Sequence, residues 1–227
     1  MKRVYLLFLL VIVFTLSACQ ETERNMGISE ESTAVAVGDN HTENDEVSDS
    51  LLSVNKSNDS SNFLTIEPNN LSTLDFEKAY KLCTEALSGY YKSIWNGIQM
   101  DVSKYIDNPN LKQYTEKKIT SQHNLFRKNN LTSNQIKEIK IGAEKVDYVE
   151  GDNSFFYLKL NARITKDVGS YAEPTEFLVQ NMNGKLVIAD WYTFGKDSYD
   201  STVRGENQNI NNPYIWNERE WVDKIKQ

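Results

Sequence analysis

The feature that most constrains the fold of this chain is a change of hydrophobic period near Asn129-Asn130. Before it, apolar residues fall at Phe76, Ala79, Tyr80, Cys83, Leu87, Tyr90, Tyr91, Ile94, Trp95 and Ile98. Steps of three and four place them on one face of a long amphipathic helix. After it the period is two: Phe155-Phe156-Tyr157-Leu158-Lys159-Leu160-Asn161-Ala162 alternates as a strand does. Helices followed by a run of strands predict an α+β domain in which a long N-terminal helix and further helices pack on a curved antiparallel four-stranded sheet.

Local signals set the expected boundaries. Ser72-Thr73-Leu74-Asp75 reads as a capping box opening the first helix. Asp101 can cap a short turn through Tyr105, and Asn108-Pro109 starts a second helix running to about Lys128, with Leu111, Tyr114, Ile119, His123 and Phe126 along it. Ile136, Ile139, Ile141 and Val146 to Val149 form one long, bulged strand, and Glu150-Gly151-Asp152-Asn153 turns it into its hairpin partner. Strands over 176–181 and 186–194 flank Asn183-Gly184, a strong hairpin signal. At the C-terminus, Asn217 and Glu220 can cap a short helix, with Trp216 stapled against Trp221 and Val222 and Ile225 facing the domain.

The first third of the chain has no such periodicity. Residues 20–72 are rich in Ser, Asn, Thr, Glu and Asp and hold eleven acids against Arg24 and Lys56. Such a segment buries too little apolar surface to offset its ordering entropy, so it reads as an acidic tether. His41, beside Asp39, Glu43 and Asp45, falls inside it and reads as solvated. With the tether and the two basic residues of the N-terminus set aside, the net charge of −7 leaves residues 73–227 neutral. A neutral domain offers no footprint for nucleic acid.

The chain begins Met1-Lys2-Arg3, continues with the apolar run Val4 to Phe14, and reaches Thr15-Leu16-Ser17-Ala18-Cys19. A basic start, a short apolar core and small residues describe an export signal. The run falls short of the ~20 residues a membrane-spanning helix needs. Leu16-Ser17-Ala18-Cys19 resembles the lipobox of bacterial lipoproteins. That resemblance implies removal of residues 1–18, a diacylglyceryl thioether on Cys19, often N-acylation such as palmitate, and a membrane-anchored, extracytoplasmic protein. Residues 19–72 would then be the lipidated tether and 73–227 a single domain.

Two further resemblances bear on the domain. The element order over about residues 73–196 resembles the nuclear transport factor 2-like, or cystatin-like, superfamily, in which a sheet curls around a long N-terminal helix, and that resemblance implies a cone-like domain. The run from Asp190-Trp191-Tyr192 through Val203-Arg204-Gly205-Glu206 resembles a family of Gram-positive lipoproteins and implies no particular activity.

Chemistry is sparsely signalled. Outside the tether His123 is the sole histidine, so neither a Ser-His-Asp triad nor a multi-histidine metal site can be built there. No phosphate-cradling glycine loop is present, and no metal or cofactor is implied. Cys83 reads as a buried apolar residue, left without an intramolecular partner once Cys19 is acylated. Asp197, Asp200 and Glu206 lack EF-hand spacing and read as a solvated loop. Tyr91, Tyr157, Glu176, Asp190 and Tyr192 are the candidates for an interior pocket, where a buried acid would have a raised pKa. Trp191, Trp95, Tyr90 and Tyr91 could wall a ligand but read first as core. The expectation is a non-enzymatic binding module at the cell envelope, taking a protein, peptide or glycan; the alternative is an isomerase- or hydratase-like enzyme using an acid in the pocket.

Overall fold

The computed structural model describes residues 63–226. The expected export signal, Cys19, the His41 cluster and most of the expected acidic tether lie outside the described residues. The domain is α+β: helices α1 (Phe76–Asn96) and α2 (Pro109–Lys128), strands β1 (Ile136–Val149), β2 (Phe155–Lys166), β3 (Gly169–Met182) and β4 (Lys185–Thr193), then short helices α3 (Tyr199–Arg204) and α4 (Arg219–Lys226). The strands pair in chain order as one antiparallel sheet, which stays open.

Each helix starts and stops for a local reason. Asp75 accepts from the Ser72 N–H (3.1 Å) and hydroxyl (3.2 Å), so the expected box at the head of α1 is formed. At the other end Gly97, at φ +68°, takes the left-handed conformation that closes a helix and donates to the carbonyls of Lys92 and Ser93. The Asn108 side chain accepts from Asn110 N (2.9 Å) and Leu111 N (3.2 Å), with Pro109 at the first position of α2. The face of α1 that carries Ala79, Leu82, Cys83, Ala86, Leu87, Tyr90, Tyr91 and Ile94 is sealed against Phe156, Leu158, Leu160, Ala162 and Ile164 of β2 and Phe177 and Val179 of β3. Cys83 is a free, buried thiol there.

Three expectations need correction. The folded part starts before residue 73: Phe63 is fully buried against Tyr105, Thr65 N donates to Gly184 O (2.9 Å), and Ile66 N donates to the buried carboxylate of Asp75 (2.8 Å). An extended strap carries no helical period, so Phe63 and Leu71 look scattered in the sequence. β3 begins seven residues earlier than the apolar run over 176–181 suggests, because its first half pairs with β2 through exposed positions. Asn217 bonds to Asn108 (2.7 Å) instead of capping α4. The Trp216–Trp221 contact does form, edge to face at 4.5 Å.

Candidate functional site

Strand parity separates the five pocket candidates. Tyr91 lies on the helix-covered side of the sheet, within the main core. Tyr157 is opposite Leu178, Glu176 opposite Tyr192, and Leu178 opposite Asp190, so Tyr157, Glu176, Asp190 and Tyr192 share the other face with Leu178. They do not converge with Tyr91. A smaller cluster of Phe155, Leu178, Ala189, Tyr192 and Ile210 covers that face. The Tyr157 phenol bonds to Glu176 and is pushed above its usual range, first by burial. The Tyr192 hydroxyl donates to Gly205 O (2.7 Å). Asp190 borders a small pocket of about 100 Å³, yet its carboxylate is committed: it accepts from both Arg204 Nη atoms, Trp216 Nε1 (2.7 Å) and Trp191 N (2.8 Å). It ties the C-terminal segment to β4.

The expected solvated loop needs correction at Asp200 alone, since Asp197 and Glu206 are exposed. Asp200 is fully buried, as is Lys118 of α2, and the two are ion-paired. Asp200 accepts in addition from Tyr114 Oη (2.6 Å) and Thr193 N (2.7 Å). Lys118 Nζ donates to Thr193 Oγ1 (2.8 Å) and lies over the rings of Tyr90 (4.9 Å) and Trp191 (4.7 Å). Burial pushes the Lys118 pKa down, partly offset by Asp200. Two hydrogen bonds from Lys118 Nζ and its contacts with two ring faces, in a dry interior, make this pair a structural lock. Among the described residues no cluster of three or more His, Cys, Asp or Glu could hold a metal ion.

The arrangement with chemical potential lies where the C-terminal end of α1, α2, the start of β3 and the β4–α3 connection meet. A cleft of about 340 Å³ is walled there by Tyr90, Ile94, Trp95, Phe126 and Tyr171, with Gln122 and Glu173 among them and residues 195–198 at its rim. Trp95 stacks on Phe126 with centroids 4.0 Å apart, and its Nε1 donates to Tyr171 Oη (2.7 Å). Glu173 Oε2 accepts from Tyr91 Oη (2.8 Å). Its pKa is pushed up to about 7, chiefly by burial, with the Tyr91 hydrogen bond and the Lys118 charge opposing and Asp200 adding. Gly195, at φ +121°, makes room for this carboxyl: a Cβ there would stand 2.4 Å from Glu173 Oε1.

Two more polar groups face the same space. Gln122 is 5% exposed and Tyr90 1%, yet among the described residues neither the Gln122 amide nor the Tyr90 hydroxyl has a hydrogen-bond partner. An apolar cleft with a few convergent polar groups and a shifted carboxyl has the composition of a small-ligand site. Of the predicted set only Tyr91 takes part, as the partner of Glu173; Tyr90 and Trp95, read first as core, do line the cleft.

Comparison with protein-family models and with curated proteins finds no match. Among solved structures the chain is similar to Bd1075 of Bdellovibrio bacteriovorus, with 14% identity and a TM-score of 0.30, over 56% of this chain and 45% of that one. At that level the likeness carries no argument about fold or activity.

Proposed function

We propose that this protein is a lipid-anchored envelope lipoprotein whose domain captures a small ligand, or a single side chain of a larger partner, in the cleft at the end of α1. The observation that carries the reading is the convergence of the Tyr90 hydroxyl, the Gln122 amide and the Glu173 carboxyl on one aromatic-walled space. Aromatic area supplies affinity, and the three polar groups supply orientation. The anchor rests on the lipobox at Cys19, and the acidic tether would hold the domain clear of the surface. The likeness of element order to the cystatin-like superfamily fits a helix lying across a curved sheet.

Binding is favoured over turnover because the interior beyond the cleft is filled. Tyr91, Trp191 and Phe177 are buried to within 1% of completely, and Lys118 and Asp200 are committed to each other and to Thr193. To test the reading, the mature protein and a Gln122→Leu variant are equilibrated with envelope extract, desalted and analysed by native mass spectrometry. A small-molecule mass retained by wild type and lost in the variant supports it. Identical spectra contradict it.

One observation favours a second reading. Glu173, with a pKa near 7 and a phenol on one oxygen, is suited to move a proton at neutral pH. An isomerase- or hydratase-like enzyme would then release a changed form of the retained ligand, and Glu173→Gln would bind without converting it.

A further inference from the structure

We infer that a second pocket, at the end of the sheet where the strap meets the β3–β4 turn, binds a neutral saccharide. It encloses about 280 Å³ and shares no lining residue with the cleft at the end of α1, so it goes beyond the reading of that cleft and does not depend on it. Its walls come from residues 68–71 of the strap, the β1–β2 turn over 151–154, the end of β3 and Tyr214 of the C-terminal segment. Five asparagines and one glutamine line it, and among the described lining residues Asp152 alone is charged. Part of this polar set shapes the walls. Asn181 Oδ1 accepts from Gly184 N (2.8 Å), and its Nδ2 donates to Pro68 O (3.1 Å) and Asn70 O (3.2 Å), which pins the strap to the turn. Asn153 Oδ1 accepts from Tyr214 Oη (2.7 Å), which holds that ring in place.

The rest of the set is unspent. Gln180 is only 5% exposed, and its amide has no hydrogen-bond partner among the described residues; the Asn183 amide and the Asp152 carboxylate have none there either. The Gln180 amide is not sealed off, and this pocket is the opening it lines. An amide offers a donor and an acceptor side by side, and a sugar hydroxyl both donates and accepts, so neighbouring hydroxyls can satisfy Gln180 at both atoms. Asp152 can take a further hydroxyl. The Tyr214 side chain is 37% exposed and makes no ring or cation contact among the described residues, which leaves a flat apolar surface for the C–H face of a pyranose. Other ligand classes fit less well. An anion finds no cation in the lining, an ammonium finds only the exposed Asp152, and an apolar body strips water from the amides without replacing its bonds. A peptide could bond to the amides, but its side chains find no apolar recess beyond Pro68, Leu71 and the Tyr214 ring.

The test titrates the isotope-labelled mature protein with four neutral disaccharides, maltose, cellobiose, lactose and diacetylchitobiose, while the side-chain amide resonance of Gln180 is followed by NMR. Blocked trialanine and citrate serve as the peptide and anion probes. The expected result is a saturable Gln180 shift with at least one disaccharide, at a Kd of about 1 mM or tighter. Gln180→Leu, read at the Ser154 amide, and Tyr214→Ala, read at Gln180, should each weaken that binding at least about tenfold. Tyr214 is a surface side chain, so its variant carries the test even where Gln180→Leu disturbs the fold. The inference is overturned if none of the four disaccharides shifts Gln180 at about 20 mM, if blocked trialanine or citrate binds as tightly as the best of them, or if a folded variant keeps wild-type affinity. Any of these results leaves the cleft at the end of α1 as it stands, because the two spaces share no residue.

Discussion

Replacing Lys118 by methionine keeps the length of the side chain and removes its charge from a site where Lys118 is 1% and Asp200 0% exposed. Asp200 would keep its bonds from Tyr114 Oη and Thr193 N but lose its countercharge, and Thr193 Oγ1 would lose the Lys118 donor. Breaking one side of a buried pair costs about 3–5 kcal/mol, because the remaining charge is stranded away from water. For a domain of this size each kcal/mol lowers Tm by roughly 2–4 °C, which sets an expected drop of about 6–20 °C. Adding Asp200→Asn to Lys118→Met should recover most of that loss, since the double variant buries no ion. Urea unfolding of the mature protein, followed by far-ultraviolet circular dichroism, measures both. A single-variant loss below about 1 kcal/mol, or strictly additive effects in the double variant, would refute the buried-lock account.

Three other outcomes follow from the structure. The folded pKa of Glu173, about 7, lies above the ordinary 4.5, so the folded protein holds a proton that the unfolded chain releases. That stabilisation is full below pH 4.5 and is lost as pH rises through about 7; Glu173→Gln should remove a pH-dependent contribution of up to about 3 kcal/mol, and parallel stability–pH curves for the two proteins would contradict it. Phe63→Ala should cost about 3 kcal/mol and speed amide exchange first at Thr65 and Ile66, whereas a loss under about 1 kcal/mol would show that the strap is not part of the core. Cys19→Ala should leave the protein in the soluble fraction without labelled fatty acid; continued membrane association of that variant would overturn the anchor.

The fold was legible because α1 and β2 follow the two hydrophobic periods, although Ile98 of the helical series lies past the end of α1 and is exposed, and β3 and β4 are buried over continuous runs instead of alternating. Ala79, Cys83, Leu87, Tyr90, Tyr91, Ile94 and Trp95 are all buried as their spacing requires. The strap was not legible, since Leu64 pairs with Lys185, Phe63 packs on Tyr105 and the Leu71 carbonyl accepts from Tyr148, long-range partners that leave no local pattern.

The site was mostly hidden for a related reason. The apolar positions on α2 suggest a stripe through Ile119, His123 and Phe126, but the buried positions are Leu111, Tyr114, Thr115, Lys118 and Gln122. Three polar residues, Thr115, Lys118 and Gln122, occupy that inner stripe, so hydropathy rotates the apparent face by one residue. Lys118 and Gln122 could have been found by asking which polar side chains repeat at the Leu111 and Thr115 spacing. Glu173 lies before the apolar run of β3, next to a proline whose C=O accepts from Phe194 N (3.0 Å), and nothing local marks it. Asp190, by contrast, was visible as an acid among aromatics. Its role as a tie to Arg204 and Trp216 depends on chain that returns from the C-terminus.

The claim that the cleft at the end of α1 is where this protein meets its ligand is tested most directly by indole nitrogen NMR of the mature protein. Four tryptophans, Trp95, Trp191, Trp216 and Trp221, supply the probes, and Trp95 lines the cleft. On addition of envelope extract the Trp95 resonance should shift in wild type and stay fixed in Glu173→Gln, with Trp216 and Trp221 unmoved in both. An unmoved Trp95, or a shift that persists unchanged in the variant, would contradict the account.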